Sequence, residues 1–331
     1  MPSRLKKFLL RGSLLALGLI SSLVIAEIVV RVFYPHTMDS VIPGELAVMD
    51  ERLGWKLRPM AQTQHETRYF KVDYAISPLG IRDNKTESAK PRGTRRYLLY
   101  GDSQIFGWGV NIEERFSNLI EKELPNVEIW NCGVYAYGLD QEYLFYRDTT
   151  FGAEADNVVL WVSEVTLERM SLGSKGGKQK PRLRVSPDGK LTSYGISLSR
   201  AKATKTLYSL IRTFYLPHFV LAMIEGATHT DVPCEPSGLS ELAKAVLSQA
   251  QRLSRERGQT LSVLSALDGP RLDELRQFCG ENEIELMTIK VGTSATEIFG
   301  NDDPHWTPAS HASIASQLLP QFQKSLSRSS R

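Results

Sequence analysis

The run Tyr-Leu-Leu-Tyr-Gly-Asp-Ser, ending at Ser103, constrains the fold more than any other stretch of the chain. Residues 96–100 form a short run, apolar from Tyr97 onward, which suits a central strand buried on both faces. The Gly-Asp-Ser that follows is a tight turn presenting a serine at the strand's carboxyl end. Residues 127–130, 158–162, 260–264 and 284–291 also read as strands, 158–162 apolar throughout. Between them lie stretches of helical spacing. At 113–124, Phe116, Leu119, Ile120 and Leu124 share one face and Pro125 ends the pattern. Residues 139–148, 239–257 and 272–279 repeat the rhythm, and 308–323 closes it with Thr307 as N-cap and Pro308 in the first turn. Strands alternating with helices imply a parallel sheet covered on both faces, an α/β fold.

The 331 residues suit one large α/β domain with insertions, taken here as 96–326. Before it stand two other segments. Residues 12–30 (GSLLALGLISSLVIAEIVV) are long and apolar enough to cross a bilayer, with Glu27 the only charge. Arg4, Lys6, Lys7 and Arg11 precede them, so the positive-inside rule places residues 1–34 as a cytoplasmic tail and transmembrane anchor, with the rest of the chain outside the cytoplasm. The rival is a secretory signal cleaved near Ala26. The apolar pattern continues through Ile28, Val29, Val30, Val32 and Phe33, which favours the anchor. Residues 35–95, punctuated by Pro and Gly, read as a connector or cap layer with short strands. An insertion at about 170–238 carries a basic group (Lys175, Lys178, Lys180, Arg182, Arg184), expected to be a solvated loop rather than an anion site. In it, 207–224 is apolar and reads as a helix packing on the main domain or as part of a substrate-cleft wall. A net charge of +3 gives no case for nucleic-acid binding. Cys132 reads as buried and inert, while Cys234 and Cys279 form a candidate disulfide if the domain is extracytoplasmic. No motif calls for a cofactor or a metal.

In an open parallel sheet, reactive groups gather at the carboxyl ends of the strands. Ser103 stands there, and a serine hydroxyl needs a base to act as nucleophile at neutral pH. His305, after the last strand, is the best candidate. Asp302 precedes it by three and can orient the imidazole; Asp303 is the neighbour that could be mistaken for it. His311, in the final helix, reads as a packing residue. A tetrahedral intermediate needs oxyanion donors, and the backbone N–H groups of Ser103 and Gly133 are the candidates. Phe106, Trp108, Tyr135 and Tyr137 read equally as core or as cleft wall.

These blocks resemble those of the SGNH/GDSL hydrolase superfamily: Gly101-Asp102-Ser103 with Gln104 where the family name has leucine, Asn131-Cys132-Gly133-Val134 with Tyr137-Gly138, and Asp302-Asp303-Pro304-His305. Gly80-Ile81-Arg82-Asp83 and Gly107-Trp108-Gly109-Val110 resemble membrane-anchored bacterial members. The resemblance implies a flavodoxin-like three-layer sandwich, with Ser103 as nucleophile, His305 as base, Asp302 as orienting acid and Gly133 as oxyanion donor. It fails after the third strand, where the family carries an asparagine and this chain reads Ser163-Glu164-Val165-Thr166. Thr166 would stand nearest, with Ser163 behind it. Losing one oxyanion donor costs about 3–4 kcal/mol of barrier.

The expected activity is therefore an extracytoplasmic serine esterase acting on a carbohydrate or lipid ester through an acyl-serine. The alternatives are an O-acyltransferase working on an envelope or exported polysaccharide, and a weak or inactive binding protein that keeps the fold.

Overall fold

The computed structural model describes residues 2–39, 41–42, 46–85, 89–149, 151, 154–175, 178–186, 190–194, 196, 213–228 and 239–329. Its helices, in chain order, are α1 (Pro2–Phe33), α2 (Ser103–Phe106), α3 (Phe116–Glu123), α4 (Leu139–Asp148), α5 (Glu164–Glu168), α6 (Tyr215–Thr228), α7 (Glu241–Glu256), α8 (Gly269–Glu281) and α9 (Pro308–Ser329). Its strands are β1 (Ala47–Asp50), β2 (Gly54–Leu57), β3 (Gln62–Glu66), β4 (Lys71–Ala75), β5 (Arg95–Gly101), β6 (Val127–Gly133), β7 (Asn157–Val162), β8 (Ser174–Lys175), β9 (Lys178–Gln179), β10 (Arg182–Val185), β11 (Leu191–Tyr194), β12 (Thr260–Ser265), β13 (Glu285–Thr288), β14 (Ile298–Gly300) and β15 (Asp303–Trp306).

The chain divides into two units, Met1–Val41 with Lys202–Asp231, and Ile42–Ala201 with Val232–Arg331. In the smaller unit, α1 holds an apolar stretch, Lys6–Phe33, whose mean hydropathy reaches 2.4 and which is long enough to cross a membrane. A leader sequence meets the same criterion. The Glu27 carboxylate accepts the first two N–H groups of α6, from Tyr215 (3.1 Å) and Leu216 (2.8 Å). It thereby satisfies donors that a helix start leaves orphaned. Arg31 binds the same carboxylate at 2.7 Å and lies over the Tyr215 ring. The helix expected over 207–224 begins at Tyr215, and 207–212 lie outside the described residues.

The larger unit is built on a five-stranded sheet of order β13-β12-β7-β5-β6, with every pairing parallel. Counted along the chain this is the flavodoxin-like order 2-1-3-4-5. The sequence shows why β5 lies inside it. Leu98 and Tyr100 face one core with Trp130, Leu144, Val158, Leu160 and Leu247. Tyr97 and Leu99 face the other with Phe116, Ile120, Trp161, Ile314 and Leu318. Helices α4, α7 and α8 cover the first face and α3 and α9 the second, which makes the three-layer sandwich. The last sheet strand is shorter than the apolar run suggested, ending at Thr288 rather than 291.

Residues before β5 form the antiparallel hairpins β1–β2 and β3–β4. Their Trp55, Leu57, Val72 and Tyr74 join the first core. Between hairpins and sheet, fully buried Arg82 donates to the carbonyls of Phe106 (3.0 Å), Gly107 and Val110 (2.7 Å), tying down the loop after α2. Asp83 accepts from the Asn131 N–H at 3.2 Å and lies 3.6 Å from the buried Arg115 guanidinium. Burial, and after it the neighbouring Arg115 charge, lowers Arg82 to about 9.

Candidate active site

Strand β5 delivers Ser103 at the switch point of the sheet, where the chain leaves β5 with β6 on one side and β7 on the other. Asp102 caps α2, its carboxylate accepting from the Gln104 N–H at 3.0 Å. One turn later Gly107 ends the helix at φ 81°, a left-handed conformation that suits glycine. Ser103 is therefore held on a tight turn and is only 5% exposed.

The opposing part comes from the β14–β15 hairpin. His305 Nε2 lies 2.8 Å from Ser103 Oγ, and His305 Nδ1 lies 2.5 Å from Asp303 Oδ1. This corrects the expectation for Asp302. Residues 303–306 are a strand, so side chains two apart share a face and Asp303 stands beside His305. Asp302 is half-exposed and turned elsewhere, paired with Arg68 and accepting from the Tyr69 hydroxyl at 2.5 Å. Burial pushes the Asp303 carboxyl up, but the His305 side-chain and backbone hydrogen bonds and the imidazole charge outweigh it. The carboxyl ends below its ordinary value. Trp108 stacks on the imidazole at 4.9 Å between centroids, with Tyr135 beyond it at 6.3 Å. Trp108 and Tyr135 therefore wall the site, while Phe106 and Tyr137 are fully buried core.

The expected oxyanion donors fare differently. Ser103 N–H has no acceptor among the described residues. Gly133 N–H is taken by Asn131 Oδ1 at 3.1 Å. A Cβ at Gly133 would lie 2.3 Å from the Phe106 nitrogen, so the glycine lets β6 approach α2 rather than offering a free donor. Thr166 is also corrected. Its hydroxyl is fully buried in a capping box, accepting from Ser163 N–H at 2.9 Å and facing the Ser163 carbonyl at 3.1 Å. Ser163 Oγ accepts from Thr166 N–H in return. Glu164 pairs with Arg271. What the sequence did not signal is Ala136, in the loop after β6, whose φ of 66° is left-handed. Such a residue costs about 1–3 kcal/mol and such strain clusters at functional sites. Its N–H also lacks an acceptor among the described residues.

Behind the nucleophile the charges are paired. Arg169 donates to Asp102 at 2.9 Å and to the Tyr137 carbonyl at 3.0 Å. Glu142 accepts from the Trp161 N–H at 3.0 Å, and burial with the nearby Asp102 charge holds its carboxyl well above its ordinary value. In the basic group of the insertion, Lys180 is buried against Asp140, and Lys178 lies over the Trp55 and Tyr135 rings. His311 accepts from the Phe116 N–H at 3.3 Å and stacks on that ring, as a packing residue does. Burial lowers it to about 3. Cys132 and Cys279 are free buried thiols whose protons burial retains; Cys234 lies outside the described residues. Among the described residues no His, Cys, Asp and Glu cluster could hold a metal.

No protein-family model matches the chain, and no curated protein matches it. Among solved structures it is similar to a member of the lipolytic protein G-D-S-L family from Veillonella parvula, at 11% identity over 70% of this chain and 99% of that one, TM-score 0.37. It is likewise similar to an acetyl xylan esterase from Geobacillus stearothermophilus, at 11% identity over 69% and 94%, TM-score 0.37. The chemistry of the site rests on its own geometry.

Proposed function

We propose that the chain is a serine esterase working through an acyl-Ser103 intermediate. The observation that carries this is the hydrogen-bonded relay from Ser103 Oγ through His305 to Asp303. Three side chains from two chain-distant segments meet in the order nucleophile, base and orienting acid. His305 Nε2 takes the Ser103 proton as Oγ bonds to the ester carbonyl carbon, and the carbonyl π pair moves to oxygen. The tetrahedral species collapses, and His305 returns the proton to the departing alkoxide. Water, activated by the same imidazole, then releases the acid and frees Ser103. Asp303 holds the tautomer with Nε2 facing the serine and stabilises the imidazolium that forms. The free N–H of Ser103 is the first oxyanion donor, and that of Ala136 is assigned as the second in place of Gly133 and Thr166.

The substrate class follows from the walls. Trp108, Tyr135, Phe70 and Phe299 offer aromatic faces around the relay, which suit an acylated sugar ring or a lipid ester. A fluorophosphonate probe tests the assignment: wild type is expected to label and Ser103→Ala is not. Failure of the folded wild-type protein to label would favour a binding protein that keeps the fold. Acetate release from acetylated sugars, compared with acetyl transfer to an added glycan, separates hydrolysis from O-acyl transfer. Under the same reading, α1 is a retained anchor with the site outside the cytoplasm. The support is the basic flank and the use of Glu27 and Arg31 to hold α6.

A further inference from the structure

We propose that Gln104 is a positioning residue that seats His305 on Ser103. Its side-chain Nε2 donates to the Pro304 carbonyl at 3.1 Å, and its Oε1 accepts from the Trp306 N–H at 3.1 Å. These two backbone groups flank His305. In a strand they project from the same edge, so the amide of Gln104 pairs with β15 as one residue of a neighbouring strand would. The other edge of β15 is held by β14, with a register shift between Ile298 and Gly300. Strand β15 is therefore clasped on the site side by one side chain, and that side chain belongs to the residue after the nucleophile. The clasp is stiff at its other end too, because Asp102 binds the Gln104 N–H at the start of α2. Any sliding of β15 against α2 would change the distance from Ser103 Oγ to His305 Nε2 directly. A leucine at 104 fills similar space and makes neither bond. The exposed Pro304 carbonyl can then turn to water while the buried Trp306 N–H loses its acceptor, so the chain stays folded and the register of the histidine loosens.

The inference rests on Ser103 and His305 acting as nucleophile and base. Its test compares wild type, Gln104→Leu, Gln104→Glu and Ser103→Ala of the full chain in detergent. A misplacement of about 1 Å costs on the order of 100-fold in rate, so Gln104→Leu is expected to lose roughly that factor in fluorophosphonate labelling. Its thermal midpoint should fall by several degrees, about what two lost hydrogen bonds give. Gln104→Glu keeps the acceptor for Trp306 and loses the donor to Pro304, and should fall between the two. The 15N shifts of the His305 ring, identified against His305→Gln, read the same contact without catalysis and should move in Gln104→Leu. Wild-type labelling rates and unmoved shifts in Gln104→Leu would overturn the inference and leave the esterase assignment standing. If wild type itself fails to label, that assignment falls, and the ring shifts alone decide whether Gln104 seats the histidine.

Discussion

Asp302 and Asp303 are adjacent in sequence and separate in consequence. Asp303→Asn is expected to lower esterase kcat by roughly three to four orders of magnitude, because an amide there favours the wrong imidazole tautomer. Asp302→Asn removes a largely exposed pair with Arg68, and such pairs contribute about 1 kcal/mol or less. Its kcat should stay within a few-fold of wild type; the reverse ranking would return the role to Asp302. The sequence made both acids visible but not their order, since an acid three before a histidine suggests a turn while a strand pairs residues two apart. The same limit hid Gln104 and Ala136, whose roles depend on a strand two hundred residues away and on one backbone angle. His311 gives a prediction in pH. Its unfolded value is the ordinary 6.5 and its native value is about 3. Between these the unfolded chain binds the proton and the native chain does not. Stability is then full above 6.5 and falls as pH drops, with a slope of up to about 1.4 kcal/mol per pH unit from this group. Urea unfolding at pH 7 and pH 5 should show a smaller difference in His311→Gln, whose amide oxygen can still accept from Phe116.

At the scale of elements, the tip of the β3–β4 hairpin bears on the loop that carries the acid and base. Tyr69 and Arg68 hold Asp302, and Phe70 packs on Phe299 at 5.0 Å. Replacing Arg68 with Ala and Tyr69 with Phe together should raise amide hydrogen exchange across residues 300–306 and leave the central sheet protected; unchanged exchange there would show that the hairpin merely lies alongside. The strands of the sheet were legible because each is apolar on both faces, a pattern only a covered parallel sheet explains. Pro125 and the Thr307–Pro308 start fixed helix ends for equally local reasons. The hairpins were legible only as alternation without partners, because antiparallel pairing is decided by which core each face meets. Trp55 and Tyr74 meet the core under α4, which no local pattern announces. Gly133 misled for a related reason: close approach to α2 and a free N–H both call for glycine, and the packing of Phe106 decides between them.

For the whole molecule, the fate of α1 turns on Glu27. A carboxylate such as Glu27 is costly inside a bilayer unless it is paired and sits near an interface. Here it has Arg31 one turn on and two amide donors from the start of α6, whose partial positive end suits an anion. Phe219 of α6 also packs on Tyr34 at 4.8 Å, where an interfacial aromatic belongs. Cleavage near Ala26 would remove most of the helix that sets Glu27 in place, while a retained helix makes its charge useful. The chain is thus expected to keep its full mass in cells and to resist extraction from membranes at alkaline pH. A version lacking residues 1–26 should partition less firmly yet still label at Ser103, because the relay lies wholly within the unit built on the sheet. Glu27→Ala in the full chain should leave labelling intact and make the region around Tyr215 more sensitive to protease. A mature chain that begins at Glu27 would overturn the anchor, and Glu27 would then serve α6 only as a cap.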